Sequence, residues 1–300
     1  MEFLRRLALA LATLAVASPL AAQPIAVHDG AGLTVTVSAP VRRVAALISS
    51  TIDIIVALGA ADRIVARTRY DTASAVAKAA NVGGGIDPSV EILLAARPDL
   101  FIAWNGQANT AVVSRMRALG VPVYLVDTKD TTALFATIRD LGALLGLSAR
   151  SGTAANALRN DLRAIAAQRA RRPRVSAVYV ISRAPVIISA ATSYMAELIS
   201  VAGGDNPFRD VPGEFPTLSL ESFIARDPDV VIIGRGAGGI SQLERLRASP
   251  GWRDMRAVRS GAVIEVDGEQ WGRPTLRFGA LLGELAGQLD RVAPMIRRPK

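Results

Sequence analysis

The side chains that make and break covalent bonds are almost missing from this chain. Its 300 residues contain no cysteine and a single histidine, His28. Without cysteine there is no disulfide, thiolate metal site or thiol nucleophile. His28 is remote from any serine–aspartate pair, and no G-x-S-x-G turn is present, so hydroxyl nucleophiles lack their base. Metal-assisted hydrolysis lacks a histidine/carboxylate cluster. One catalytic-looking motif remains. Gly234, Gly236 and Gly239 spell G-x-G-x-x-G between a hydrophobic run and a helix-like stretch, the pattern that seats a dinucleotide pyrophosphate. Its acidic partner should lie about 20 residues on. Asp254 has the distance but sits in a GWRDM turn, while Glu265 and Asp267 come late. A dinucleotide-dependent oxidoreductase is therefore the enzyme alternative.

Other residues suit binding. Aromatics make up 5% of the chain, so each one in a polar setting carries weight. Tyr70, Trp104, Phe215 and Trp271 all fall in loops beside strand-like or repeated segments. Ligands of doubly wound sheets sit beyond the carboxyl ends of strands. Four rings there would line a cleft for a large flat ligand. Arg67, Arg183, Arg235 and Arg273 are further cleft candidates, suited to ligand carboxylates. Trp252, in the GWRDM segment, reads as core. His28, in an N-terminal hairpin, reads as a surface residue rather than a metal ligand. A haem iron would need Tyr or Met, such as Tyr70 or Tyr194. No resident cofactor is expected.

These loops need elements to position them, and the chain supplies strands and helices in alternation. Residues 25–37 alternate as a hairpin turning at 29–32. Strands are predicted at 44–48, 64–68, 99–104 and 121–126, with helices at 51–58, 88–96, 107–119 and 131–145. Gly59, Gly120 and Gly146 stop three of these helices. Residues 148–171 then carry Ala154, Leu158, Leu162 and Ile165 at helical spacing. A helix of about 24 residues there would be roughly 36 Å long. Alternation resumes with strands at 175–181, 186–188, 230–233 and 263–266, and helices at 193–202, 218–226, 240–248 and 274–289. Such a pattern gives parallel sheets covered by helices. The fold class is α/β: two Rossmann-like lobes with mostly parallel sheets, joined by one long rigid α-helix. The expected divisions are a leader at 1–22, a first lobe at 23–147, the joining helix at 148–172 and a second lobe at 173–300.

One passage occurs twice. Residues 89–102 read SVEILLAARPDLFI and residues 219–232 read SLESFIARDPDVVI. In one gapless frame Ser89 lies over Ser219, Glu91 over Glu221 and Asp99 over Asp229. Asp87 and Thr217, four residues before each glutamate, are N-cap types, with Pro88 suited to a first helical position. Each glutamate should lie outside the buried stripe, near an exposed helix start. A carboxylate there complements the helix dipole, by about 0.3–1 kcal/mol. Two in the same register also make a symmetric pair of acidic knobs.

Arg5 and Arg6, the apolar run 7–17 and Leu20-Ala21-Ala22 read as an export signal cleaved after Ala22. Export without an anchoring cysteine points to the periplasm. The formal charge of +9 comes without a basic–aromatic motif, so nucleic acid is not an expected partner.

With these residues in view, the chain resembles the periplasmic substrate-binding proteins of ABC importers for cobalamin, ferric siderophores and haem. The resemblance spans about 25–289. It rests on the DG hairpin, VRRVAALISSTIDIIVALGAADRIVA, SVEILLAARPDL, AGGDNPF, LSLESFIARDPDVVII, and WRDMRAVRSGAVIEVDG followed by Arg273-Pro274. It implies a monomeric receptor that binds a metal chelate between its lobes and hands it to a membrane permease. By position, Glu91 and Glu221 would be the permease-docking residues. AWNGQAN around Trp104 resembles the cobalamin branch, where aromatics matching Trp104, Tyr70 and Phe215 contact the corrin. That branch often has a tryptophan where this chain has Gly83-Gly84-Gly85. Cobalamin is the first expected ligand, ferric siderophore the second and haem the third.

Overall fold

The computed structural model describes residues 24–38, 40–106, 110–190, 192–236 and 240–296. The export signal, Gly239 and the basic tail from Arg297 to Lys300 lie outside them.

The chain opens with the expected hairpin, β1 (Pro24–His28) against β2 (Thr34–Ser38), antiparallel. Asp29 makes its turn by accepting hydrogen bonds from the N–H groups of Ala31 and Leu33 at 3.0 and 2.8 Å. Next come β3 (Val44–Ala46), α1 (Ser49–Ala57), β4 (Ile64–Arg67), β5 (Ala80–Asn81), α2 (Val90–Ala95), β6 (Leu100–Trp104), α3 (Thr110–Ala118), β7 (Val123–Val126) and α4 (Thr131–Leu144). Gly59, Gly120 and Gly146 follow α1, α3 and α4 at φ of 77°, 75° and 66°, a region glycine enters without Cβ strain. The five strands form one parallel sheet in the order β5-β4-β3-β6-β7. Chain direction across the sheet reverses between β3 and β6, and such a switch point opens a crevice at the strand ends.

The second lobe holds β8 (Val175–Arg183), β9 (Val186–Ile188), α6 (Tyr194–Val201), β10 (Gly204–Asp205), β11 (Thr217–Leu218), α7 (Leu220–Arg226), β12 (Val230–Gly234), α8 (Gln242–Ala248), α9 (Arg256–Ser260), β13 (Val263–Val266), α10 (Gly268–Trp271) and α11 (Phe278–Ile296). Strands β8, β12 and β13 are parallel, β10 adds to β8 in parallel, β9 pairs antiparallel with β8, and β11 pairs antiparallel with β9 at the edge. The second sheet is thus mixed, and the short strands β5, β10 and β11 were not legible in the hydrophobic pattern.

The joining helix, α5, spans Ser148–Arg169. Its 22 residues give a length of about 33 Å, and it ends four residues before Pro173. Leu158 is buried and Leu162 and Ile165 pack against the core. The helix lies against α4 of the first lobe and α11 of the second. One buried hydrophobic cluster runs from Val44 and Ile138 through Leu158 to Ile199 and Phe278. The lobes therefore share a core across α5, and each keeps an outer core of its own, around Phe101 and Met116 in the first and around Phe223 and Trp252 in the second. Among the described residues no helix is long and apolar enough to cross a membrane.

The two copies of the repeat also share structural details. Leu93 and Phe223 are both fully buried. Arg97 and Asp227, in the same frame, both take left-handed backbone at φ of 44° and 37°. An arginine holds each strained carbonyl: Arg43 donates to Arg97 O at 2.9 Å and Arg256 to Asp227 O at 2.8 Å. Asp99 and Asp229 then accept backbone N–H groups of the neighbouring segment. The helix caps differ from expectation. Ser89 and Ser219 are the N-caps, accepting from Ile92 N at 3.3 Å and Ser222 N at 3.1 Å. Asp87 instead faces Arg69, and Thr217 belongs to β11. Both residue sets satisfy the capping rule, but the chain turns two residues later than Asp87 requires. Glu91 and Glu221 consequently occupy the second position of their helices, where both are exposed.

Candidate ligand-binding cleft

A cavity of about 740 Å³ lies between the lobes. The first lobe contributes Leu47, just past β3, and Trp104, the last residue of β6, at the switch point. It also contributes Ser49 and Ser50 at the start of α1, and Tyr70. The second lobe contributes Tyr179 and Ile181 of β8, Ile187 of β9, Tyr194 and Met195 of α6, and Phe215. Three rings are presented to this space with unusual exposure for their size: Tyr70 at 62%, Trp104 at 47% and Phe215 at 40%. Large apolar groups left in water around a concavity mark a binding surface.

Trp271 departs from expectation. It is 2% exposed and does not face the cavity. Asp267 caps α10 by accepting from Glu269 N and Gln270 N, and that short helix turns Trp271 inward. There it stacks on Tyr179 at 6.1 Å, and its carbonyl accepts the Tyr194 hydroxyl at 3.1 Å. Tyr194 in turn stacks on Phe278 at 5.7 Å. Trp271 thus supports the cavity floor from beneath, and Tyr179 and Tyr194 form that floor. Burial pushes the Tyr194 phenol well up. Its hydroxyl is committed to the Trp271 carbonyl, whereas Tyr70 is exposed. Trp252 packs as expected, 5.0 Å from Phe223.

The four arginines separate into two kinds. Arg67 spends its guanidinium on the carbonyls of Val76 and Thr68. Arg273 lies at the cavity edge and joins the lobes. It is 3.7 Å from Asp53 of α1 and 3.5 Å from the Tyr70 carbonyl, with Glu269 at 3.8 Å. Burial raises the Asp53 carboxyl, and Arg273 partly offsets this. Arg183 and Arg235 line an adjoining space. A second inter-lobe tie lies elsewhere: Glu197 of α6 accepts Thr131 N at 2.9 Å and the Thr131 hydroxyl at 2.6 Å. A carboxylate of one lobe thereby caps α4 of the other.

His28 contacts Thr34 in the hairpin at 3.4 Å, away from the cavity. Among the described residues no group of three or more His, Asp or Glu is placed to hold a metal ion. The glycine motif has a packing role where it is described. A Cβ on Gly236 would stand 3.0 Å from Gln242 Nε2 and 3.2 Å from the Arg245 guanidinium carbon, so that glycine leaves room for the side chains of α8. Glu265 Oε1 accepts Gln242 N at 2.5 Å and Leu243 N at 3.4 Å. This carboxylate fills the start of α8, the place a pyrophosphate would need.

With this geometry described, the comparisons with known proteins decide the class. The model of the periplasmic binding protein family matches residues 44–269. The chain belongs to that family. The vitamin B12-binding protein of Vibrio parahaemolyticus is 26% identical over 243 residues, covering 79% of this chain and 86% of that one. Among solved structures, the periplasmic vitamin B12-binding protein of Vibrio cholerae aligns with a TM-score of 0.73. Its identity is 23%, over 86% of this chain and 99% of that one. The periplasmic haem-binding protein of Roseiflexus sp. RS-1 aligns at 0.75 and 24%, over 84% and 99%. These structures share the two-lobed fold. The relatives are binding proteins, and the dinucleotide oxidoreductase reading is set aside on that ground and on the occupied start of α8. Membership of this family places the protein in the periplasm.

Proposed function

We propose that the protein is the substrate-binding component of an ABC importer. It captures a bulky metal chelate in the inter-lobe cavity and delivers it to a permease in the inner membrane. A corrinoid is the preferred ligand, ahead of a ferric siderophore and haem. The carrying observation is the cavity itself, where Tyr70 and Trp104 of one lobe oppose Phe215 of the other. Exposed rings on both walls gain most from a wide flat ligand, because each face buries aromatic area with little loss of side-chain freedom. The vitamin B12-binding relatives favour a corrinoid within that class. The protein acts as a monomer and performs no covalent step. Glu91 and Glu221, one exposed helix start per lobe, are the docking points for the permease. Titrating the pure protein with cobalamin, a ferric hydroxamate and haemin tests the reading. Cobalamin should change the tryptophan fluorescence saturably. A ferric hydroxamate that does so while cobalamin has no effect would move the ligand to the siderophore class.

A further inference from the structure

The two polar ties between the lobes stand on opposite flanks of the aromatic cavity, and they differ in tightness. Strand order in the first lobe is β5-β4-β3-β6-β7. Thr131 follows β7 at one flank. Tyr70 follows β4 at the other, beside Asp53 of α1, the helix after β3. At the β7 flank Glu197 of the second lobe accepts Thr131 N at 2.9 Å and the Thr131 hydroxyl at 2.6 Å. These are full hydrogen bonds. At the β4 flank the second lobe presents Arg273. Its guanidinium stands 3.5 Å from the Tyr70 carbonyl, 3.7 Å from Asp53 and 3.8 Å from Glu269 of its own lobe. All three distances lie outside the usual span of about 2.7–3.2 Å.

The first lobe has acceptors to spare at this flank. Asp71 is 3% exposed. Its Oδ2 accepts Thr68 N at 3.2 Å and the Thr68 hydroxyl at 2.6 Å, which fixes the turn that carries Tyr70. Its Oδ1 has no hydrogen-bond partner among the described residues. Burial raises the Asp53 carboxyl, Arg273 lowers it and Asp71 raises it again, so the two carboxylates are close enough to feel each other. The flank also has room to close. A second space of about 410 Å³ lies in the seam, between Asp53 and Val56 of α1 and Gln270, Arg273 and Leu276 of the second lobe. Arg273 and Glu269 line both this space and the aromatic cavity. We infer that Arg273 is a positioning residue that latches the β4 flank: as a chelate draws the lobes together, the second lobe pivots at Glu197–Thr131, and Arg273 forms full hydrogen bonds to Asp53 and the Tyr70 carbonyl that set the Tyr70 ring against the ligand. A movement of about 1 Å at the contact is enough. The inference rests on the chelate-receptor reading and adds a direction to closure. It also gives Arg273 a role through Tyr70 in place of a contact with the ligand.

A contact completed after the ligand has entered slows escape and leaves capture alone. Stopped-flow tryptophan fluorescence with cobalamin, haemin and ferrichrome reads both rates, in wild type, Arg273→Gln, Arg273→Lys, Asp53→Asn and the Asp53→Asn/Arg273→Gln double variant. For whichever of the three wild type binds, Arg273→Gln should raise the off-rate about tenfold. Its on-rate should stay within about twofold of wild type. Asp53→Asn should also raise the off-rate, and the double variant should be no faster than Arg273→Gln alone, because both changes break one contact. Arg273→Lys, which keeps the charge, should recover part of the loss. Thermal unfolding of the ligand-free Arg273 and Asp53 variants should stay near wild type, whereas Glu197→Ala at the pivot lowers it. An Arg273→Gln off-rate equal to wild type overturns the inference. So does an Asp53→Asn off-rate equal to wild type beside a fast Arg273→Gln, the pattern of an arginine that touches the ligand directly, and so do additive effects in the double variant. Each of these results leaves the receptor reading standing, since wild type still binds. If wild type binds none of the three, this inference and the proposed ligand class fall together.

Discussion

Trp104 and Trp271 differ in exposure, so their substitutions should differ in kind. Trp104→Ala removes a half-exposed ring from the cavity wall. It should weaken chelate binding by about 2 kcal/mol, roughly 30-fold, with the unfolding temperature nearly unchanged. Trp271→Ala empties the space beneath Tyr179 and should cost about 3–5 kcal/mol of stability. Thermal unfolding and titration of both variants separate the two roles. Asp210 offers a residue-scale test of pH dependence. Hydrogen bonds from Arg226 lower its carboxyl from 3.8 to about 2. A lowered folded-state value means that the contribution is complete above about pH 4 and is lost as pH falls toward 2. Asp210→Asn should therefore flatten part of the acid limb of a stability–pH profile and leave the alkaline limb in place. At this scale the sequence was partly legible. It marked Tyr70, Trp104 and Phe215 as ring-bearing loop positions. It could not show Trp271 turning inward, because a one-turn helix decides that direction. Tyr179 was missed as cavity floor because a tyrosine inside a strand reads as core, and Tyr194 was singled out only as a residue type that could hold a haem iron.

Among elements, the repeated helices α2 and α7 are the most informative. Their bodies serve the fold: a serine cap, a buried residue at Leu93 or Phe223, and a left-handed turn held by an arginine. Their exposed glutamates add only the weak complement of a first-turn carboxylate to the helix dipole. Reversing both, as Glu91→Lys with Glu221→Lys, should abolish uptake in cells that depend on the importer. Chelate affinity measured on the pure variant should stay at the wild-type value. Loss of affinity would assign the pair to the cleft instead. The helix–strand order was readable because α1, α3, α4 and α6 end at a glycine, α2 and α7 end at Pro-Asp, and each central strand is a compact apolar run. The two-residue edge strands were not, since pairing at a sheet edge needs no hydrophobic pattern. The glycine motif misled for a related reason. Glu265, which fills the start of α8, is brought there by β13 from 23 residues beyond Gln242.

At the scale of the whole molecule, the continuous core through α5 sets how the lobes move. Opening them widely would expose hydrophobic surface that α4, α5 and α11 bury together. Closure should therefore be restricted to a small hinge or twist, with Glu197–Thr131 and Arg273–Asp53 tying the lobes beside the core. Glu197→Ala removes the cross-lobe cap of α4 and should lower stability by about 1–2 kcal/mol, read by denaturant unfolding. The central proposal is that this pair of lobes holds one corrinoid between its exposed rings. Calorimetric titration of the purified protein with cobalamin tests it most directly, in wild type and in Trp104→Ala. The account predicts saturation at one ligand per chain, with affinity reduced roughly 30-fold in the variant. Wild type that takes up no cobalamin, or a Trp104→Ala variant that binds it as tightly as wild type, would contradict it.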